Sequence, residues 1–450
     1  MSQDLESIFR AYDIRGKDQL TPEVMEKIGK SYGTYLKRRG DTEKVVVAHD
    51  MRNNSEELYT AFITGLANTG IERIVELGME PFGVALYYGW VERIETAYIT
   101  ASHLSREWNG VKFYHPSGVG YTEEENMAVK ELFFEGDFEL GPCEVESADP
   151  RDVYIDYLSS KVSPGRMEVV LDCGNGVAGL TAPQVFERSG FEVETLFGEP
   201  DGDFPNRDSE ITDETITELK REVTDSDLGI AYDGDSDRCS IVTPSGRLLE
   251  ADETAYIVLD EILGQKKHTQ GFADKIVANV ECSMMLEEVA ERHGFEIVRE
   301  RVGHTYLYKS LLENNAVFGV EKAGHFAVPQ IFPLDDAVAA SLFFASAISR
   351  MDISLEEKLE EMPEYFSDRI AFECRDEEKF KVVEALKEEL SEEYKNVTTI
   401  DGVRVDLKDG WILIRASNTS PKIRLTVEAE NREEFENLKK KFSKTISCQV

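Results

Sequence analysis

At 450 residues the chain is too long for one hydrophobic core, and about three domains follow from ordinary domain sizes. Lys+Arg 50 against Asp+Glu 88 gives a formal net charge of −38, a field that repels nucleic acid and anionic membranes, while 41% hydrophobic and 31% charged residues fit a soluble globular protein. The acidity reads as a heavily solvated surface, so an anionic small-molecule partner must be met by a local basic pocket.

In chain order, residues 1–150 alternate strand and helix signals, as a parallel sheet with crossover helices does. Segments 45–48 and 96–99 are strand-like, and 22–38 reads as a helix with Thr21 as N-cap ahead of Pro22. Acidic, proline-containing sequence at 136–150 reads as a linker. A second α/β unit, 151–250, opens with its strand at 167–172. A third, 251–365, has strands at 275–278 and 316–320 and a buried helix at 337–348, the longest apolar run and too short to cross a bilayer. The last unit, 366–450, has a strand at 369–374, a charged amphipathic helix at 377–390 and three short strands between 397 and 428, which makes a small α+β domain. The six cysteines are scattered without a Cys-x-x-Cys pair, which argues against zinc ribbons and for a reducing compartment. The start is acidic with no apolar signal core, and Cys448 is not placed as a prenylation box; a cytoplasmic location is expected.

Thr100-Ala101-Ser102-His103 follows the apolar strand 96–99. A serine where a buried strand ends presents its hydroxyl at the mouth of the sheet, where open α/β sheets place ligands. Ser102 is read here as the carrier of a phosphoryl group. Alone, the tetrapeptide is a turn serine beside a surface histidine; three distant stretches supply what a phosphoserine needs.

The first is Asp233-Gly234-Asp235-Ser236-Asp237-Arg238, where three carboxylates at alternate positions, with a glycine for a tight wrap, converge on one hard cation. It is not an EF-hand, which needs glycine where Arg238 stands and glutamate where Pro244 stands. Mg²⁺ is the cation expected for phosphoryl chemistry. The second is Arg415-Ala416-Ser417-Asn418-Thr419-Ser420-Pro421-Lys422-Ile423-Arg424, whose hydroxyl, amide and backbone donors among three cations form a phosphate nest without Walker spacing. The third, Glu321-Lys322-Ala323-Gly324-His325, ends a strand with a carboxylate suited to adjacent sugar hydroxyls and a histidine beside it. Val302-Gly303-His304-Thr305 is a weaker signal of the same kind. Near the start, Phe9-Arg10-Ala11-Tyr12-Asp13-Ile14-Arg15-Gly16 offers Arg15 to neutralise a transferring phosphoryl group, or is a salt-bridged arm.

Gly174-Asn175-Gly176-Val177-Ala178-Gly179 matches Gly-x-Gly-x-x-Gly after a strand, with Glu199 and Asp201 at dinucleotide-fingerprint distance. An NAD-dependent oxidoreductase, however, leaves the serine, carboxylate and basic loops without work. The glycines are read as a tight strand-to-helix turn.

Taken together in this order, the stretches resemble the α-D-phosphohexomutase family, with bacterial and archaeal phosphomannomutase/phosphoglucomutase enzymes as its nearest members. The resemblance runs through Phe9 to Gly16, Thr100 to His103, Trp108-Asn109-Gly110-Val111-Lys112, Asp172 to Gly179, Asp233 to Arg238, Val302 to Thr305, Glu321 to His325 and Arg415 to Pro421. It implies four domains around a central cleft, three related mixed-sheet α/β domains and a C-terminal α+β domain. It further implies Ser102 as phosphoserine, binding one Mg²⁺ with Asp233, Asp235 and Asp237. Lys112 and His325 are implied in acid/base work, Arg15 and Arg238 on the transferring group, and Tyr12, His103, His304 and Glu321 at the sugar. Arg415, Ser417, Asn418 and Thr419 are implied as the clamp on the other phosphate. Two departures stand out. Leu104-Ser105 replaces the usual Asn-Pro, which removes a stiffening proline. Ala323 replaces a serine, which removes one hydrogen bond worth about 0.5–1.5 kcal/mol.

The expected reaction interconverts hexose 1-phosphate and hexose 6-phosphate, of mannose or glucose, through a hexose 1,6-bisphosphate that also activates the enzyme. Phosphoglucosamine mutase and phosphopentomutase are alternatives on the same scaffold. A mechanistic rival makes Asp233 the nucleophile with Asp235 as acid, and a non-enzymatic rival makes the chain a sugar-phosphate-binding relative. The expected partners are small sugar phosphates, with no nucleic acid or membrane, and the chain is expected as a monomer or weak homo-oligomer.

Overall fold

The computed structural model describes residues 5–40, 44–163, 165–417 and 421–449, in four domains, each built on its own sheet. The first sheet holds β1 (Ile14–Gly16), β2 (Lys44–His49), β3 (Arg73–Met79), β4 (Glu95–Ile99), β5 (Asn109–Tyr114) and β6 (Glu144–Ser147), in the order β1-β5-β4-β2-β3-β6. β4, β2, β3 and β6 run parallel, while β5 is antiparallel to both β4 and β1. β2 and β4 are almost wholly buried, as parallel strands covered by helices on both faces must be. The helix Pro22–Arg39 begins where Thr21 Oγ1 accepts from Val24 N and ends at Gly40 in the left-handed region. It packs closely on the helix Ser55–Ala67 because Gly65 stands at the crossing: a Cβ there would lie 1.9 Å from the Glu26 carbonyl oxygen. The expected linker at 136–150 is not featureless. It contains β6, paired parallel to β3, and all four β6 side chains are exposed, so no apolar alternation marks it in the sequence.

The second sheet holds β7 (Glu168–Asp172), β8 (Glu192–Leu196), β9 (Leu228–Tyr232) and β10 (Cys239–Val242), ordered β10-β9-β7-β8. The third holds β11 (Ala273–Asn279), β12 (Glu296–Glu300), β13 (Ala316–Val320) and β14 (Phe326–Ala327), ordered β12-β11-β13-β14. In both, one antiparallel edge strand closes an otherwise parallel sheet. The fourth sheet is wholly antiparallel: β15 (Phe366–Glu373), β16 (Val397–Thr398), β17 (Val403–Asp406), β18 (Gly410–Ala416) and β19 (Lys422–Ala429). Four strands thus follow the helix Lys379–Glu393 where the sequence suggests three, and a further helix, Arg432–Ser447, completes the domain.

One continuous apolar cluster joins the second and third domains and reaches into the first; the fourth domain has a core of its own. At the centre of the shared core lies the helix Ala337–Ile348, every residue of which is buried. Its N-cap, Asp336, accepts from Val338 N, Ala339 N and the Tyr154 hydroxyl, and the Ala337 amide donates to the Ser236 carbonyl at 3.1 Å. That ties the third domain to the carboxylate loop of the second. Among the described residues no helix is long and apolar enough to cross a membrane.

Candidate active site

The four loops singled out in the sequence share one structural position. Each is the connection of an antiparallel pair: β4–β5 carries Thr100 to Trp108, β9–β10 carries Asp233 to Arg238, β13–β14 carries Glu321 to His325, and β18–β19 has Ser417 and Pro421 as the described ends of its connection. A hairpin anchors both ends of its loop, which is how side chains far apart in sequence are held in place.

Ser102 sits on the left-handed side of backbone space, φ +53°, its amide donating to Thr100 Oγ1 at 2.9 Å. Its buried hydroxyl lies 3.0 Å from Asp233 Oδ2 and 3.2 Å from Asp237 Oδ1, with His103 Nδ1 at 3.4 Å. Burial and the field of Arg238 and Arg15 pull the His103 imidazole down to a pKa of about 2, so it is neutral. Lys112, inward on β5, places Nζ 2.5 Å from Asp237 Oδ2 and 3.2 Å from Asp235 Oδ2. Burial works against its charge, but Asp235 and Asp237 more than reverse this and fix it as an ammonium. Asp233 and Asp235 are pushed up by burial and by mutual repulsion with Asp237. Burial also opposes the charge of Asp237, yet Lys112, His325 and Arg238 hold it well below the usual carboxylate range.

Asp233, Asp235 and Asp237 each bring an oxygen within 4.8 Å of the others, all buried, and Asp235 Oδ1 has no hydrogen-bond partner. Three converging carboxylates, with Asp235 Oδ1 an orphaned acceptor, against the Lys112 ammonium and the Arg238 guanidinium leave uncompensated negative charge. That donor set fits a hard divalent cation.

On the opposite side, Arg238 Nε donates to His325 Nε2 at 3.0 Å and His325 Nδ1 faces Asp335 Oδ1 at 3.1 Å. The imidazole therefore carries its proton on Nδ1 and offers Nε2 as an acceptor. Asp335 was not legible in the sequence as part of this site. Burial disfavours a second proton on His325, but Asp335 and Asp237 outweigh it and raise the ring above its usual range; accepting that proton requires Arg238 to move off Nε2. Glu321 is buried, with Oε2 unpartnered. Gly324, φ +94°, makes the turn that places Glu321 and His325 together. Ala323 is exposed at the tip. His304 opens the helix His304–Asn314; its ring centroid is 5.2 Å from that of His325, and its Nε2 is 3.4 Å from the Tyr114 hydroxyl. Tyr12 donates to the Val302 carbonyl at 3.3 Å and packs edge-on against Tyr306, pinning the N-terminal arm to the third domain. Arg15 pairs with Asp13 at 2.5 Å and donates to the Ala101 carbonyl at 3.3 Å, beside the serine loop.

In the fourth domain Arg415 is already engaged: Nη1 lies 2.7 Å from Glu281 Oε1 and Nη2 2.8 Å from Asp401 Oδ2. Ser417 is buried, and its amide donates to the Lys422 carbonyl at 2.9 Å. Asn418 and Thr419, the other two expected clamp residues, lie outside the described residues.

The largest contribution missed in the sequence is Arg52. Buried and paired with Asp50 at 3.0 Å, it donates to the carbonyls of Ser102 (2.7 Å), Leu104 (2.6 Å), Ser105 (2.8 Å) and Trp108 (3.0 Å). The loop that lacks a proline is thus held by one guanidinium. The available signal was Asp-x-Arg immediately after the buried strand β2, the same sheet end at which Ser102 was recognised.

Comparison with known proteins identifies the family and its four-domain architecture. Family models described as phosphoglucomutase/phosphomannomutase alpha/beta/alpha domains I, II and III match residues 6–140, 152–246 and 250–366, and the C-terminal domain model matches 370–445. The chain is 34% identical over 446 residues to a probable phosphoglucosamine mutase of Methanopyrus kandleri, covering 96% of each. It is 33% identical over 453 residues to a phosphomannomutase/phosphoglucomutase of Pseudomonas aeruginosa, covering 98% of this chain and 96% of that protein. A crystal structure of a phosphoglucomutase/phosphomannomutase family protein from Burkholderia thailandensis superposes with a TM-score of 0.89 at 26% identity, covering 99% of this chain and 98% of that one.

Proposed function

The chain belongs to the phosphoglucomutase/phosphomannomutase group of the α-D-phosphohexomutases, and from that premise we propose that it interconverts hexose 1-phosphate and hexose 6-phosphate through a phosphoserine at Ser102. The observation that carries the reading is the Ser102 hydroxyl 3.0 Å from Asp233 and 3.2 Å from Asp237, with Lys112 bonded to the same acidic loop.

In the proposed cycle the P–Oγ bond of phospho-Ser102 breaks as a P–O bond to the free sugar hydroxyl forms. That hydroxyl yields its proton to His325 Nε2, once Arg238 leaves this nitrogen for the transferring phosphoryl oxygens. Lys112, a fixed ammonium, offsets charge left on the serine side. Asp233, Asp235 and Asp237, with the Ser102 side, hold a divalent cation, Mg²⁺ by the oxygen donor set, which supplies charge neutralisation to the phosphoryl group. Glu321 and His304 grip the sugar, and the Arg415–Ser417 segment receives the phosphate that is not reacting. The bisphosphate then turns end over end and returns its other phosphoryl group to Ser102. Such transfer is mostly positioning and electrostatics, which suits a site assembled from four anchored turns.

Glucose and mannose phosphates are the first-choice substrates. Glucosamine phosphate is the second reading, supported by the 34% identity to a protein named for that activity. A coupled assay on the three sugar 1-phosphates with Mg²⁺ and a trace of bisphosphate ranks them. Mass-spectrometric mapping of the phosphorylated residue tests the mechanism: phosphate on Ser102 is expected. Phosphate on Asp233, or full activity in Ser102→Ala, refutes it.

A further inference from the structure

The expected phosphate clamp contains a carboxylate that no phosphate-binding role calls for. Arg369, Arg415 and Arg424 share one face of the fourth sheet: Arg415 is directly opposite Arg424, and Arg369 lies two residues from Ala371, which faces Arg424 from the other side. Glu281, from the third domain, projects into this group, its Oε1 2.6 Å from Arg369 Nη2 and 2.7 Å from Arg415 Nη1. The turn that carries Glu281 is rigid. Arg404 donates to the carbonyls of Val280 and Cys282, both at 2.9 Å, and Arg299 donates to those of Asn279 and Cys282 at 2.9 and 3.1 Å. Glu281 is therefore aimed, not draped.

The arginines are not fully satisfied. Arg415 Nε is buried without a hydrogen-bond partner, and among the described residues the Arg424 guanidinium makes no hydrogen bond or ion pair. Burial, and then the charges of Arg369 and Arg415, press the Arg424 guanidinium below its ordinary range. Three guanidiniums against Glu281 and Asp401 leave one excess positive charge, in a chain of net charge −38. An anion is wanted there, and Glu281 already takes part of its place.

We propose that Glu281 is the resident counter-ion of the phosphate cradle: its carboxylate competes with the sugar's non-reacting phosphate for Arg415 and Arg369, and so sets how tightly that phosphate is held. The inference rests on the mutase reading above. It deepens that reading by explaining how a clamp of guanidiniums releases a bisphosphate that must turn around in mid-cycle. When the phosphate leaves, Glu281 takes up the vacated donors, so release does not strand buried charge. Glu281 touches Arg415 and Arg369 rather than the reacting atoms, and its role is one of positioning and affinity.

The test has a sign that a merely structural role cannot reproduce. Removing a domain tie raises KM; removing a competitor lowers it. In Glu281→Gln, which keeps the shape and an acceptor oxygen, KM for glucose 1-phosphate and the inhibition constant of inorganic phosphate both fall by about three- to tenfold, and Glu281→Ala moves both in the same direction. Glu281→Asp, which keeps the charge, stays closer to the unmodified protein. Unchanged or raised constants in both neutral variants, with thermal unfolding unaltered, overturn the proposal. If the unmodified protein turns over no sugar phosphate, the mutase reading fails by itself. Calorimetric titration with inorganic phosphate still decides on Glu281: tighter binding in Glu281→Gln supports the counter-ion role, and equal or weaker binding refutes it.

Discussion

Arg52 Nη2 donates to the carbonyl oxygen of Ser102 at 2.7 Å, and the same side chain caps three further carbonyls of that loop. A lysine offers a point charge and cannot fan out to four acceptors. Arg52→Lys is therefore expected to lower kcat by about tenfold to a hundredfold through misplacement of Ser102, with a smaller change in KM. Steady-state kinetics check this, alongside the hydrolysis rate of the phosphoenzyme, which is expected to rise as the loop loosens. Added guanidinium is expected to restore part of kcat in Arg52→Ala. A loss of activity fully accounted for by unfolding would remove Arg52 from the mechanism.

The acidic loop makes a prediction of opposite sign for stability and activity. With no cation bound, Asp233 suffers from burial and from Asp237 and Asp235. Asp233→Asn relieves that repulsion, so the metal-free protein is expected to gain about 1 kcal/mol. The unmodified protein is expected to gain thermal stability on adding Mg²⁺ and to lose activity on chelation, and the variant to show neither the gain nor the activity. Melting curves with and without Mg²⁺, on both proteins, read this directly.

His115 gives the pH dependence. Burial opposes its charge, but Glu125 and Glu95 outweigh it and raise the ring from 6.5 to about 9. Its stabilising contribution is thus complete below pH 6.5 and is lost as pH rises through about 9. The difference in unfolding free energy between the unmodified protein and His115→Gln, read from melting curves, is expected to be widest near pH 6, on the order of 2 kcal/mol, and to close by pH 10.

Gly324 tests the sugar loop. A Cβ there would have room, its nearest neighbour being the Cys239 carbonyl oxygen at 3.5 Å, so only the φ of +94° resists substitution. Gly324→Ala is expected to cost about 1 kcal/mol of stability. Because the strain falls between Glu321 and His325, it is also expected to raise KM for the sugar phosphate more than it lowers kcat. Equal effects on both constants would argue that the turn does not position the sugar.

What was legible in the sequence shares a physical character. Ser102, Asp233, Glu321 and Arg415 each stand at the end of a buried apolar strand, and a strand followed by polar residues is a local signal. The helices Pro22–Arg39 and Ala337–Ile348 were legible for the same reason, a cap or an unbroken apolar run. Asp335 and Glu281 were not, because each acts on a partner 10 to 134 residues away through an imidazole nitrogen or a guanidinium, and nothing in composition marks such a pairing; Arg52 left only the Asp-x-Arg after β2, which does not name the carbonyls it serves. β6 was missed because its four side chains face solvent, so the alternation that reveals a half-buried strand does not exist.

All four turns of the proposed site bridge antiparallel strands. The ladder beneath each one fixes both stems, and bonds from outside the hairpin, such as those of Arg52 to the serine loop, hold what lies between them. Chemistry and architecture are thereby separated: Leu104, Ser105 and Ala323 lie outside the paired strand registers. On the proposed function, a change of sugar preference is expected to proceed one fingertip at a time, with the hand left as it was.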